Sequence, residues 1–476
     1  MSLFNLLVTL LVVTVHGAGV VYALQAAEKA HTAQGGLAWA LTLVFLPWVA
    51  LPAYAIFGPP DIERLAENLG EARAEAHKRF VRARPVRAVA EDDEAERRRG
   101  ALERLSPLPV VNAPPPTLLI DGDATFDAVV AAIDAAEHTV FVQFYIWRAD
   151  SLGQRLQQRL IARARDGLRV CVLYDRLGSH TVPRGFWDAM RVEGVEVRPF
   201  EVNRPLERLL RLNYRNHRKT VIADGRVAIL GGPNVGIEYL GLDPRFGPWR
   251  DTAILVAGAG AAAVEASFME DWLWTGGAPV ESEPSRAEPD PGIAGAPTLI
   301  LPSGPADPQP TCSLFFCHMI TEARRRIWIA TPYFVPDLDV MTALKLAAVR
   351  GVDVRILIPD RPDHLVVWLA AFGYAEEAMR SGIKLYRYQP GFMHQKVCVV
   401  DDWAAAIGTV NLDNRSLRLN FEVTAVVFDP HFTREVSSML LADFAFSRLY
   451  DAAAHAERRA WVRVLGPAAR LLGPIL

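Results

Sequence analysis

Two long apolar runs open the chain before any sustained charge appears. Leu3 to Leu24 is almost wholly apolar, interrupted chiefly by His16, and Gly36 to Phe57 is a second such run carrying Pro47 and Pro52. At about 1.5 Å of rise per residue, a helix over either run covers the ~30 Å hydrocarbon core of a bilayer. Proline is tolerated in such helices, where neighbours satisfy the carbonyls it frees. A cleaved signal peptide would begin with basic residues, and Met1–Asn5 has none. The pattern predicts a retained two-helix transmembrane hairpin within residues 1–58, its spans at about 3–24 and 36–57. The short loop holds Glu28, Lys29 and His31, whereas Arg64, Arg73, Lys78, Arg79, Arg82 and Arg84 follow the second run. The positive-inside rule then puts the loop outside and the rest of the chain on the cytoplasmic side.

Residues 59–116 read as a charged linker. Ile62, Leu65 and Leu69 recur at helical spacing and predict a juxtamembrane helix that passes into a flexible connector. The runs Glu91–Glu94 and Arg97–Arg99 read as a solvated face. Pro107, Pro109 and Pro114–Pro116 mark a boundary. Beyond it, one unit is written twice. In the first copy (117–275), a helical stretch from Phe126 to about Ala136 leads to the apolar strand Val140–Trp147, then a helix, then Gly167–Asp175 and Gly194–Phe200. The second copy (311–476) has a helix ending near Arg326, the strand Ile327–Phe334, and then Gly351–Asp360 and Gly382–Tyr388. A Pro/Gly/Glu-rich loop, 276–310, joins them. Apolar β-branched runs alternating with helical patterns predict an α/β fold of two pseudo-symmetric domains with mostly parallel sheets.

Composition narrows the classes. A chain of 476 residues is too long for one ordinary core, and 51% hydrophobic residues is high for a protein without membrane segments. The net charge of −3 supplies no global field for nucleic acid. Cys171, Cys312, Cys317 and Cys398 show no CxxC spacing and read as reduced residues of a cytoplasmic domain.

Each copy places the same polar set after its last matched strand. The first has His217, Lys219, Asp224, Gly231, Gly232 and Asn234; the second has His394, Lys396, Asp401, Gly408, Thr409 and Asn411. Both obey HxKxxxxD, and in both the Asn falls 17 positions after the His. A lone HxK would be noise; the same set at matched positions of a repeat is a candidate catalytic centre. On a strand, residues i and i+2 face one side, so each His and Lys point together. Two copies facing across a pseudo-two-fold axis would pool two imidazoles, two ammonium groups and two amides. That set suits a phosphodiester. Lys219, Lys396, Asn234, Thr409 and Asn411 match charge growing on the non-bridging oxygens. One imidazole attacks phosphorus while the other serves the leaving and entering hydroxyls as acid and base. Asp224 and Asp401 complete the motifs, in the role of scaffold anchors rather than substrate contacts.

The doubled HxKxxxxD resembles the phospholipase D superfamily and, within it, the bacterial cardiolipin synthases. The likeness extends through Pro52–Gly58, Phe144–Trp147, Asn213–Lys219, Gly231–Asn234 with Glu238-Tyr239, and Trp249–Thr252. In the second half it takes in Thr331–Pro336, Gly408–Ser416 and Asn420–Glu422. This resemblance implies transfer between two phosphatidylglycerols, giving cardiolipin and glycerol through a phosphatidyl-histidine. It implies two phospholipase D-type domains in a multi-pass protein of the bacterial inner membrane. Partners would be phosphatidylglycerol, other anionic phospholipids and the bilayer. It also implies that Glu422 orients His394. Arg245 falls at the matching spacing of the first half, which leaves Asp251 as the candidate for orienting His217. By the same analogy, His217 is the nucleophile and His394 the acid/base. No cofactor is implied, and no HExxH, Cys/His ligand spacing or Walker-type loop predicts a metal or nucleotide.

Two departures stand out. Gly232 replaces the hydroxyl-bearing Thr409, and eleven more residues separate Gly194 from His217 than separate Gly382 from His394. The extra segment includes Arg204–Tyr214, basic and amphipathic, which suits either an interfacial helix or a packed surface helix. The run Trp461–Leu476 leaves the same two readings open. Rival activities use the same residues: phospholipid hydrolysis, or cardiolipin synthesis from phosphatidylethanolamine. A nuclease is disfavoured by the spans, the charge and the lack of a basic, aromatic-lined track, so no nucleic-acid partner is expected. An inactive lipid-binding protein is disfavoured by intact His, Lys and Asn in both halves.

Overall fold

Apolar residues at the N-terminus fold as helices with little to bury them but one another. The computed structural model describes residues 2–29, 33–58, 62–201, 214–280 and 295–473. It divides into two compact units, Met1–Glu67 with Glu201–Tyr214, and Asn68–Phe200 with Arg215–Leu476. In the smaller unit, Leu3–Lys29 is a 27-residue helix long and apolar enough to cross a bilayer. The second apolar run is two helices, Ala33–Phe45 and Pro47–Phe57, rather than one continuous span. Pro47 has no N–H to donate back, so the run kinks at Leu46 and restarts with proline in its first turn. Gly19 meets this bend: a Cβ there would lie 2.4 Å from the Leu43 carbonyl oxygen. Small residues permit this backbone approach between packed apolar helices. Of the segment Arg204–Tyr214, only Tyr214 lies among the described residues.

The larger unit is built on two sheets. The first has the strand order Thr117–Ile120, Thr252–Ala257, Val227–Gly231, Thr220–Ala223, Thr139–Phe144, Arg169–Asp175, Glu196–Phe200. The second sheet repeats its inner part as Asn420–Val427, Ala404–Gly408, Val397–Val400, Arg326–Ala330, Asp353–Pro359, Lys384–Tyr388. Parallel pairing in these runs is confined to the βα crossovers, as between Thr139–Phe144 and Arg169–Asp175; the rest are antiparallel. The sheets are therefore mixed rather than mostly parallel. The cause is local: each HxK segment runs into a strand that turns back at once, and only an antiparallel neighbour can be reached by so short a turn.

Between the sheets runs the helix Ala259–Trp274, whose residues 259–272 are all buried. Its small side chains let Phe141, Ile222 and Ile254 share one core with Trp328, Val399 and Ile407. Part of the stretch expected to be a joining loop is the strand Ala296–Ser303, paired with Asn420–Val427 in the second sheet. Its short apolar run was hidden by flanking Gly and Pro. The connector after the helix Ile62–Arg82 is likewise fixed rather than flexible: Ala88 and Asn112 exchange backbone bonds with Val110 and Val86. Arg73 reaches Glu270 and Asp307, both at 3.1 Å, while Arg79 reaches Glu265 at 2.5 Å. Arg98 and Arg99 do not form a solvated face. They cover Trp403 and Phe428, with guanidinium-to-ring distances of 5.2 and 5.4 Å.

The two motif aspartates hold the turns. Asp224 and Asp401 adopt φ of 54° and 49°, the left-handed region. Asp224 accepts the amides of Glu137, His138 and Thr139, and Asp401 those of Arg324, Arg325 and Arg326, all at 2.8–2.9 Å. Each carboxylate thus ties the far end of the HxK strand to the start of the central parallel strand. Asp401→Ala removes that acceptor and leaves a side chain in a strained backbone; Asp401→Gly removes it and relaxes the backbone. Denaturant titration of the detergent-solubilised chain should find losses of about 2–3 kcal/mol. Glycine should be less harmful than alanine by about 1 kcal/mol. Midpoints equal to wild type would refute this role for the turn.

Candidate active site

Alternation along a strand puts His217 and Lys219 on one side and Arg218 on the other, and likewise His394 and Lys396 against Gln395. The larger unit contains all of them, and all six are buried. The segments leading into each motif cross to the opposite half. Arg215–Asn216 pairs in parallel with Asn420–Phe421, and Phe392–Met393 with Trp249–Arg250. The ladders continue for one bond more: His217 N donates to Phe421 O at 2.9 Å, and His394 N to Arg250 O at 2.8 Å. The next residue on each partner strand is an acid. His217 Nδ1 lies 2.9 Å from Glu422, and His394 Nδ1 lies 2.8 Å from Asp251. The expected pairings are thus exchanged. Each acid serves the imidazole of the other half, because the strands carrying them pair across the pseudo-dyad rather than within a repeat.

Register identifies Asp251 as the true counterpart of Glu422. Gly231 faces Ala253 and Gly408 faces Thr424, which puts both acids at the same place on equivalent strands. The six extra residues before Asp251 include Asp243 and Arg245, and Arg245 is exposed and bonded to Asp243. Gly232 follows from the shorter acid. A Cβ at 232 would fall 1.9 Å from Asp251 Oδ1. On the other side, Thr409 Oγ1 donates to Glu422 Oε2 at 2.5 Å, so its hydroxyl serves the acid rather than an open phosphate pocket. Asp251 is held instead by the Thr252 amide at 2.9 Å and Trp249 Nε1 at 3.2 Å.

Electrostatics separate the two dyads. Burial pushes His217 down to about 4, with Lys219 and Lys396 adding to the effect and Glu422 opposing it. Burial also drives His394 well below its ordinary value, reinforced by Lys396 and Lys219. Both imidazoles are therefore neutral near pH 7; with Nδ1–H given to a carboxylate, the lone pair rests on Nε2. Glu422 lies below the usual carboxylate range: burial raises it, but His217, Lys219 and the Thr409 bond together outweigh burial. Asp251 is pushed up to about 6 by burial, which Lys396 and the Thr252 amide only partly offset. Lys396 falls to about 8 through burial, against the pull of Asp251 and Glu422. Burial also drives Lys219 well below its ordinary value. Each lysine donates to the carbonyl of its own motif histidine, at 2.6 Å for Lys219 and 2.5 Å for Lys396.

The asparagines are not alike. Asn234 accepts from Ile146 N at 3.0 Å and donates to the Tyr239 hydroxyl at 2.9 Å, so it braces the wall. Asn411 Oδ1 is buried and finds no hydrogen-bond partner among the described residues. Asp224 and Asp401 stand at the turns already described. Several contributors carried no sequence signal beyond an acid inside an apolar helix. Asp271 takes Arg218 at 2.9 Å together with Gln143 and Asn216. Asp443 takes Arg250 at 2.7 Å together with Gln395. The two sides also differ in lining. Tyr145 meets His217 edge-on at 5.1 Å between ring centres, whereas Trp249 and Tyr239 stand 5.4 and 6.1 Å from His394.

A site with two such dyads and two lysines has relatives. The family model described as "Cardiolipin synthase, PLD-like domain" matches residues 129–272 and 316–444, one stretch around each motif. The chain is 43% identical over 468 residues to cardiolipin synthase A of Pseudomonas entomophila (strain L48), covering 97% of both chains. It is 44% identical over 472 residues to cardiolipin synthase A of Pseudomonas aeruginosa (strain LESB58), covering 98% of this chain and 96% of that one. Among solved structures, phosphatidylserine synthase of Haemophilus influenzae Rd KW20 matches with a TM-score of 0.58 at 15% identity, covering 80% of this chain and 100% of that one. That last likeness is one of fold alone. By family match and by identity along almost its whole length, the chain belongs to the cardiolipin synthase family of phospholipase D-like proteins.

Proposed function

We propose that this chain is a membrane-anchored cardiolipin synthase that transfers a phosphatidyl group from one phosphatidylglycerol to another. The observation that carries the reading is the pair of neutral imidazoles, each bonded through Nδ1 to a buried carboxylate of the opposite half. His217 is the nucleophile, since Glu422 stays ionised and stabilises the positive ring formed on attack. Its Nε2 attacks phosphorus, the P–O bond to the headgroup glycerol breaks, and the departing oxygen takes a proton from His394. The bound phosphodiester's charge favours that protonation, and Asp251 balances the imidazolium. The terminal hydroxyl of the second phosphatidylglycerol then gives its proton to His394. Its oxygen attacks phosphorus, the P–N bond breaks, and cardiolipin leaves. Lys396, and Lys219 once the phosphodiester's charge draws a proton to it, supply charge for the non-bridging oxygens, and Asn411 a buried amide beside them. The two apolar runs anchor the enzyme in the inner membrane, with the catalytic halves on the cytoplasmic side.

Product analysis tests the reaction. Purified enzyme given only labelled phosphatidylglycerol should yield cardiolipin and free glycerol. His217→Ala and His394→Ala should each lower the rate by at least about 10²–10⁴-fold. Phosphatidic acid as the sole product would make the enzyme a hydrolase, and turnover only with phosphatidylethanolamine would change the donor.

The pH profile tests the division of labour. Asp251 must be ionised, so kcat/KM should fall as pH drops below about 6. Lys396 must be charged, so it should fall again as pH rises above about 8. Asp251→Asn should abolish the acid limb and cost about 10²–10⁴-fold at the optimum, as loss of an imidazole-orienting acid does elsewhere. An acid limb that survives in Asp251→Asn would assign it to another group.

A further inference from the structure

The last helix carries two apolar faces and only one is used. In Ala460–Arg470, the buried positions Val462, Gly466 and Ala469 fall on one stripe and pack against the helix Leu365–Arg380. The approach is close: a Cβ on Gly373 would lie 2.9 Å from Gly466 O. Arg470 clamps the joint by donating to Gly373 O at 3.2 Å and lying 4.4 Å from the centre of the Tyr374 ring. Arg458 fixes the start, set against Phe372 and Tyr450.

Beside and opposite that stripe, Trp461, Val464 and Leu465, with Leu471 and Leu472 just past the helix, are exposed, Val464 at 70% and Leu471 at 82%. Such a continuous apolar face is not usual on a soluble surface. Its charge is one-sided. Residues 458–476 contain four arginines and no acid, and Arg459 and Arg463 are exposed. A tryptophan with aliphatic neighbours, edged by arginine alone, has the make-up of a helix lying in a lipid headgroup region. The chain just past the helix also reaches the segment that lines the site. The Gly473 carbonyl accepts from Asn414 Nδ2 at 3.0 Å, and Asn414 follows the segment holding Asn411 and Asp413.

We infer that the outer face of the C-terminal helix docks on an anionic bilayer surface and holds the catalytic half that carries it against the phospholipid headgroups. Docking there spares a two-chain lipid from leaving the membrane to reach His217 and His394. The arginines favour the anionic lipid that the enzyme consumes. The inference rests on the lipid-transferase reading, but its test requires no turnover.

The test uses the full chain in vesicles of phosphatidylglycerol and phosphatidylcholine. Cys171, Cys312 and Cys398 are buried, so a Cys317→Ser background accepts single reporters. Val464→Cys, Leu472→Cys and, as control, Val349→Cys at the end of another helix would carry an environment-sensitive fluorophore. Lipids bearing a quencher on the acyl chain should quench 464 and 472 at least about twofold more than 349, and Arg459→Glu with Arg463→Glu should abolish the excess. Quenching at the level of Val349 would overturn the proposal. So would a reporter shielded from the lipid quencher in proportion to protein density, which would mean that a second copy covers the face. Excess quenching in an enzyme that makes no cardiolipin would sink the transferase reading and leave the docking surface standing.

Discussion

Two buried carboxylate–imidazole bonds cross from one half of the chain to the other, and much of the surrounding structure serves those crossings. An ionised carboxylate with no water around it costs several kcal/mol unless it is paired. Glu422 and Asp251 meet that condition where the other half presents an imidazole, the lysines lie near, and Thr409 or the Thr252 amide and Trp249 donate to the remaining lone pairs. The short parallel ladders at Arg215–Asn216 and Phe392–Met393 set the register. Behind them, Arg218 on Asp271 and Arg250 on Asp443 pin the ladders to the helices Ala259–Trp274 and Pro430–Ala445, both part of the shared core. The alanine-rich helix Ala259–Trp274 brings the sheets near enough for these contacts to form.

The halves are equivalent in outline and unequal in chemistry. The glutamate has a threonine hydroxyl to lean on and stays ionised, whereas the shorter aspartate needs a glycine beside it and lies nearer to protonation. Two matched differences, Glu422 against Asp251 and Thr409 against Gly232, separate a dyad suited to stabilising a fixed positive charge from one suited to taking up and releasing a proton. The pseudo-symmetry supplies the geometry, and in the proposed mechanism the departures from it divide the labour.

The HxK pairs were legible because a two-residue period and a doubled motif survive in one dimension. Asp251 was also found, yet paired with the wrong histidine, since spacing within a repeat cannot reveal that strands exchange partners across a dyad. Thr409 was read as a phosphate donor because its position beside Glu422 exists only in the fold. The strand Ala296–Ser303 lay hidden among Gly and Pro, and its partners are more than a hundred residues away. Arg98 and Arg99 looked solvated because nothing in a run of charges announces Trp403 and Phe428. Asp271 and Asp443 were missed for the opposite reason: a lone acid in an apolar helix states a cost and not its remedy.

Burial leaves the inner site short of protons. Both imidazoles are neutral and Lys219 is depressed, while Glu422 is ionised. A phosphodiester entering this space brings a full negative charge into a medium that screens it poorly. Every neighbouring group then binds protons more tightly, and the complex draws them from the solvent. In the proposed mechanism, substrate capture is thereby coupled to proton uptake, and the proton that His394 gives to the first headgroup arrives with the lipid. By the same mechanism, an empty site holds the His217 nucleophile while His394 is still unprotonated, a combination that protects the membrane's phosphodiesters until one of them is fully inside.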